Sequence, residues 1–124
     1  MYPSDRLYTK DHEWISVSGT TARVGITDYA QQQLGDVVFI ELPDVGQVFD
    51  GGKQFGSIES VKAVSDLYCP RSGRGVEVNT ALVDRPESVN SDPHGSWMIE
   101  LELTAADEKG ELLDAAAYGS LVSE

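Results

Sequence analysis

The run 55–68 constrains the fold more than any other part of the chain. Its periodicity and its apolar and β-branched residues are those of a single strand. Strands in globular proteins usually have about 3–10 residues, so a run of this length must bend or turn. Lys62 lies near its midpoint. If the chain folds back there, we expect a hairpin with Lys62 at the tip, although no Gly, Asn or Pro marks the turn.

The segment before this run contains signals for a hairpin and a helix. Segments 14–17 and 21–26 have strand character, and the turn residues 18–20 between them predict that the two strands pair. Thr27 is placed to cap a short helix, and Gly35 is placed to end it.

The remaining segments predict further strands and a second helix. Segments 36–42, 76–78 and 97–103 have strand character, and we expect the polar, proline-containing segment 80–96 to be a long loop of the kind that is often functional. Thr104 and Asp107 resemble a capping box. Apolar residues near the C-terminus follow helical spacing and predict a helix there: Leu112, Leu113, Ala116, Ala117 and Leu121. Many short strands with little helix predict a small sandwich of two sheets.

Length and charge restrict the function classes. The 124 residues suit one domain, 1–124. Nine basic against 21 acidic residues give a net charge of −12, which disfavours nucleic acids and anionic membranes as partners. The acidity either steers the protein toward basic protein surfaces or serves solubility alone. No apolar run approaches the ~20 residues of a membrane span. Residues 1–10 are neither a signal nor a transit peptide, so we expect a cytoplasmic bacterial protein, or a mature mitochondrial matrix form.

No set of residues indicates catalysis or metal binding. His12 and His94 have no partner residues at metal-ligand spacing, so we expect no bound metal ion. No nucleophile–base arrangement is present, so we expect the protein not to be an enzyme. Cys69 is the single cysteine, which excludes an internal disulfide and suits a reducing compartment. We interpret it as a small buried residue, with exchange against a nearby disulfide as the alternative.

The residues around Lys62 resemble a known modification site. Glu59-Ser60-Val61-Lys62-Ala63, followed by Asp66, is similar to the lipoyl-lysine site of glycine cleavage system H proteins. Biotinyl domains typically place Met on both sides of the lysine, and lipoyl domains of 2-oxoacid dehydrogenases more often have Asp before it. Further segments with the family's signatures are 8–14, 24–30, 34–36, 41–46, 73–79 and Tyr118.

Two positions depart from the family pattern. Gly95-Ser96-Trp97 lacks the second Gly of the usual Gly-x-Gly-Trp, and His94 stands where Tyr is more usual. Both lie in the long loop, so a docking role for that loop is in doubt.

The resemblance implies a fold and a function. The fold would be mostly β: a barrel-sandwich hybrid, or hammerhead lipoyl domain, of two small antiparallel sheets with a short internal helix and a C-terminal helix. The protein would be a carrier without an active site, with (R)-lipoate on Lys62. It would take an aminomethyl group from the pyridoxal-phosphate-dependent glycine decarboxylase (P protein) to the tetrahydrofolate-dependent aminomethyltransferase (T protein). Dihydrolipoyl dehydrogenase (L protein) would then reoxidise it, and a lipoyl ligase or lipoyltransferase would load it.

The resemblance also assigns roles near the tip. Glu59, Ser60, Val61 and Ala63 would form the turn that the lipoylating enzyme recognises; alternatively, Glu59 is an ordinary solvated charge. Glu13 and Asp66 would lie beside a partly dry groove for the loaded arm, or Glu13 is simply a residue at a strand start.

Two other functions stay open at this stage. An H-like paralogue that donates lipoyl groups in a cofactor relay would carry the same modification. An acidic interaction domain would carry none.

Overall fold

A computed structural model describes residues 2–104 and 112–122. Within them the chain forms nine strands and four short helices. The strands are β1 (Leu7–Tyr8), β2 (Glu13–Ser18), β3 (Thr21–Ile26), β4 (Val37–Glu41), β5 (Val48–Phe49), β6 (Gln54–Ser60), β7 (Val64–Tyr68), β8 (Gly73–Val78) and β9 (Ile99–Leu103). The helices are α1 (Asp28–Leu34), α2 (Thr80–Asp84), α3 (Ser88–Ser91) and α4 (Ala115–Val122).

The strands form two sheets, as the sequence predicted, and both are antiparallel, as the family resemblance implied. The larger sheet has six strands in the order β1-β2-β3-β9-β8-β5, and the smaller has three in the order β4-β6-β7. Inward-facing residues of both sheets form one buried cluster that includes Ile15, Val24, Leu101, Ile40, Ile58 and Leu67. Burying such side chains contributes about 1.5–3 kcal/mol each. This core fixes the small sheet, and therefore its hairpin, on the body of the protein.

A second, aromatic cluster joins the two ends of the described chain. Tyr8, Trp14 and Tyr118 are buried together, and the Tyr8 and Tyr118 rings stack with centroids 4.8 Å apart. Tyr8 also exchanges two backbone hydrogen bonds with Leu113, of 2.8 and 2.7 Å. Strand β1 and helix α4 are therefore held to each other.

The local predictions for the first half of the chain are confirmed. Strands β2 and β3 pair antiparallel from Glu13–Ile26 to Ser18–Thr21. The Thr27 hydroxyl caps α1 by accepting a hydrogen bond from the Ala30 amide at 3.2 Å. Gly35 ends the helix at φ +80°, in the region that only glycine adopts readily.

Four predictions for the second half differ from the structure. Strand β8 begins at Gly73 and not at Val76. The expected loop 80–96 contains α2 and α3, which bury Leu82 and Val89. Strand β9 begins at Ile99 and not at Trp97. Met98 is fully buried, whereas the alternation assigned it to the wet face. Helix α4 begins at Ala115, because Leu113 instead bridges to β1. Asp107 of the suggested capping box lies outside the described residues.

None of the helices described is long and apolar enough to cross a membrane.

Candidate functional site

Lys62 lies at the tip of the β6–β7 hairpin, as predicted. The two strands pair antiparallel up to Glu59 and Val64, beyond which the chain turns. Lys62 is exposed, and the flanking Val61 and Val64 are 70% and 68% exposed. The Lys62 amine is therefore presented to solvent and to other proteins.

The Ser60 hydroxyl shapes this turn. It accepts hydrogen bonds from the backbone amides of Lys62 at 3.3 Å and Ala63 at 3.1 Å. The Ser60 amide donates to the Ala63 carbonyl at 2.8 Å. Among the described residues, the only non-glycine with positive φ is His12, so the turn needs neither Gly nor Asn. The serine was itself the turn signal that a search for those residues missed, because serine hydroxyls can replace backbone partners in turns.

The tip is also anchored to the body of the protein. The Val61 amide donates to the Asp36 carbonyl at 3.0 Å. A methyl group placed on the Gly35 Cα would lie 3.5 Å from the Lys62 Cε, so the lysine stem lies close to the end of α1. The α1–β4 connection thus supports the hairpin at its apex.

A cleft of about 310 Å³ adjoins the tip. One wall is helix α1, through Ala30 and Leu34, and the opposite wall is β7. Glu13 and Asp66, which the sequence analysis assigned to such a groove, both line it.

Glu13 is the buried acid of this cleft. It is 2% exposed, and its carboxylate accepts hydrogen bonds from the Thr9 hydroxyl at 2.7 Å and the Tyr68 amide at 3.2 Å. Burial raises the pKa of Glu13 to about 7, against the lowering effect of those two hydrogen bonds. The side chain can therefore gain or lose a proton near neutral pH.

Asp66 and Glu59 are exposed acids on either strand of the hairpin. Asp66 accepts a hydrogen bond from the Gln54 side chain at 3.1 Å. Its charge also raises the pKa of the neighbouring Tyr68 hydroxyl. Glu59 lies opposite Phe39 on β4 and Val64 on β7. Glu59 is thus exposed at the end of the β6–β7 ladder, next to the turn that holds Lys62.

The other candidate residues, Cys69, His12 and His94, have surroundings that suit a structural role. Cys69 is 1% exposed, and burial raises the pKa of its thiol to about 12, so it stays protonated and unreactive near neutral pH. His12 bonds through Nδ1 to the Tyr118 hydroxyl at 2.8 Å, and the His94 Nε2 accepts from the Asp28 amide at 3.2 Å. Over the ranges that the structure describes, no three His, Cys, Asp or Glu residues are grouped to hold a metal ion.

Comparison with known proteins decides the family. The family model described as "Glycine cleavage H-protein" matches residues 6–124. The chain belongs to the glycine cleavage H-protein family. It is 54% identical over 123 residues to a glycine cleavage system H protein of Acidobacterium capsulatum, covering 99% of this chain and 95% of that one. The corresponding protein of Symbiobacterium thermophilum is 56% identical over 123 residues, covering 98% and 96%.

The fold agrees with this family. The crystal structure of a glycine cleavage system H protein from Mycobacterium marinum matches with a TM-score of 0.92 and 45% identity, covering 99% of this chain and 100% of that one. As a member of the family, the chain is a lipoyl carrier of the glycine cleavage system and not an enzyme.

Proposed function

We propose that Lys62 carries (R)-lipoate through an amide on its side-chain amine. The observation that carries this proposal is the exposed lysine at the apex of a hydrogen-bonded hairpin, inside the segment that resembles the family's modification site. The lipoyl group supplies a dithiolane that accepts and releases the aminomethyl group. The chain's own contribution is to present the amine on a rigid support, which reduces the ordering required in a foreign active site.

Intact mass tests this proposal. We expect wild-type protein from a lipoylation-competent cell to be heavier by one lipoyl group, and Lys62→Ala to lack the added mass. Lys53→Ala is the matched control, because Lys53 is an exposed lysine just before β6. An unmodified wild type, or added mass that persists in Lys62→Ala, would reject the assignment.

We assign the turn of Glu59, Ser60, Val61 and Ala63 to recognition by the lipoyl ligase or lipoyltransferase. Glu59, Val61 and Ala63 are exposed there, and the buried Ser60 shapes the turn. We expect Glu59→Gln to lower the rate of lipoylation, because the charge sits at a fixed distance along the strand from Lys62. Asp44→Asn is a control, because it removes an exposed acid outside the hairpin. An unchanged rate in Glu59→Gln would identify Glu59 as a solvated charge.

The cleft lined by Glu13 and Asp66 fits a role in holding the loaded arm. An aminomethyl ammonium is favoured beside a carboxylate and is protected from water in an enclosed groove. We expect Glu13→Gln and Asp66→Asn to speed hydrolytic loss of the aminomethyl group from loaded protein. Release at the wild-type rate from both variants would show that the cleft does not hold the arm.

We propose the P, T and L proteins as the successive partners. Reconstitution with these three enzymes should give glycine cleavage that depends on Lys62. Lipoyl transfer onward without glycine cleavage would instead indicate a relay protein.

We also propose a cytoplasmic location, since the similar proteins are bacterial, and cell fractionation tests it.

A further inference from the structure

Asn90 of helix α3 spans the connection between α1 and β4. Its Nδ2 donates to the Gly35 carbonyl and to the Gln31 side-chain oxygen, each at 2.9 Å. Its Oδ1 accepts from the Val37 amide at 2.9 Å. A side-chain amide has two donor hydrogens and one acceptor oxygen, and all three functions are used here.

The three residues 35–37 held in this way are those against which the hairpin apex rests. The Asp36 carbonyl, between the two backbone groups that Asn90 binds, accepts the hydrogen bond from the Val61 amide. The Lys62 stem lies beside Gly35, as described above. Asn90 therefore bonds on both sides of the carbonyl that anchors the residue preceding Lys62.

The β4–β6 ladder is irregular at this point, although Val37 still pairs with Ser60. The register between β4 and β6 shifts between Val37 and Phe39, so the regular ladder is interrupted where the hairpin reaches its tip. Irregularities of this kind bend a strand and leave a residue unpaired. The contact to Asp36 is thus an additional constraint on the direction of the tip.

We propose that Asn90 is a positioning residue for Lys62: by fixing residues 35–37 it holds the hairpin apex in the orientation that the lipoylating enzyme accepts. This inference rests on the proposed function of Lys62. Asn90 acts only through the 35–37 connection and needs no contact with lipoate or with the enzyme. A group displaced by about 1 Å can cost an enzyme about a hundredfold in rate, so partial release of the apex should be measurable.

Asn90→Asp changes the hydrogen bonds of the side chain and keeps its size, so it tests positioning without creating a cavity. The carboxylate retains an acceptor for the Val37 amide but loses both donors and faces the Gly35 carbonyl with a negative charge. We expect kcat/KM for lipoylation by a lipoate–protein ligase to fall about tenfold, a loss below that of a full 1 Å displacement. We also expect faster hydrogen exchange at the Val61 amide. Ser91→Ala is the matched control, because Ser91 is exposed on the same helix and bonds only within it; its kcat/KM should equal that of the wild type.

The measurements are made at a temperature at which each variant is folded, as shown by thermal unfolding. If Asn90→Asp does not fold there, Asn90→Ser replaces it, since serine also lacks the amide donors. A folded variant that is lipoylated at the wild-type kcat/KM overturns the proposal, whatever its Tm or hydrogen exchange, because the role of Asn90 would then be structural only. Failure of the wild type and of Ser91→Ala to be modified, or modification of Lys62→Ala, would instead reject the assignment of Lys62.

Discussion

At the scale of single residues, Glu13 is unlike the other acids described in this protein. Most of them are exposed, whereas Glu13 is almost wholly enclosed and has a pKa raised to about 7. Because the folded state binds the Glu13 proton more tightly than the unfolded state does, this carboxyl group opposes folding once it is ionised. It therefore links the stability of the cleft to pH.

We predict that the stability of the wild type falls relative to Glu13→Gln as the pH rises. The pKa is about 4.5 in the unfolded chain and about 7 in the folded protein, so the loss develops between these values and is complete above pH 7. The shift corresponds to about 3 kcal/mol. Urea unfolding at about pH 4 and about pH 8 measures it. Asp66→Asn should follow the wild type, because Asp66 is exposed; parallel curves for the wild type and Glu13→Gln would contradict the prediction.

Ser60 gives a second prediction at this scale. We expect Ser60→Ala to lower the free energy of unfolding by about 1 kcal/mol, because the amides of Lys62 and Ala63 lose their side-chain acceptor. Ser57→Ala, on the same strand but with its hydroxyl bonded on the exposed face, should change it by less than about 0.5 kcal/mol. Equal denaturation midpoints for the two variants would show that the hydroxyl does not stabilise the turn.

The length of the run 55–68 was enough to predict an exposed Lys62. The contacts that hold Lys62 in place could not be predicted from the sequence. Ser60 acts through a contact three residues away, which a search confined to Gly, Asn and Pro passes over. Asn90 bonds to Gly35, 55 residues earlier, and no local pattern reports a contact at that separation. The chemistry of a site is thus easier to read from a chain than its support.

At the scale of secondary-structure elements, helix α1 depends on contacts from distant parts of the chain. The Tyr118 hydroxyl on α4 lies 2.7 Å from the hydroxyl of Thr27, the α1 cap, and 2.8 Å from His12 Nδ1. Asn90 binds the other end of α1. One wall of the cleft is therefore held at both ends.

We expect Tyr118→Phe to destabilise the protein by about 1–2 kcal/mol. It removes both hydroxyl contacts in a buried position but keeps the ring that stacks on Tyr8. Thermal unfolding measures the change, and a Tm within error of the wild type would contradict it. Leu121→Ala is a control on the same helix, because Leu121 is 44% exposed.

The elements with strong local signals were predicted correctly, and those fixed by tertiary contacts were not. Thr27 and Gly35 defined α1 because capping and left-handed backbone are properties of single residues. Helices α2 and α3 have five and four residues, too few to show a periodicity. They are ordered by burial of Leu82 and Val89. The start of α4 was misplaced because Leu113 pairs with Tyr8.

At the scale of the whole molecule, the sandwich of two sheets was predictable and its strand order was not. Alternating patterns show which segments are strands, but the six-stranded order β1-β2-β3-β9-β8-β5 joins segments far apart in sequence. The family resemblance implied two small antiparallel sheets but gave no strand order. The net charge of −12 is also a property of the whole molecule.

We predict that binding to the P, T and L proteins weakens as salt is added. Attraction of a protein with a net charge of −12 to basic surfaces on these proposed partners would be screened beyond about 10 Å at 0.1 M salt. Association rates at several ionic strengths test this, and lipoylated protein with Asp44→Asn and Glu41→Gln should show a shallower dependence. Affinities and rates independent of salt would mean that the acidity serves solubility alone.

The bend made by Ser60 has a consequence for how the tip can vary. Because a hydroxyl shapes the bend and no residue of 61–63 requires left-handed backbone, steric rules reserve none of these three positions for Gly or Asn. The identities of residues 61–63 can therefore be selected for recognition by a binding enzyme. Folding constrains the apex through Ser60 and leaves these three side chains open to that selection.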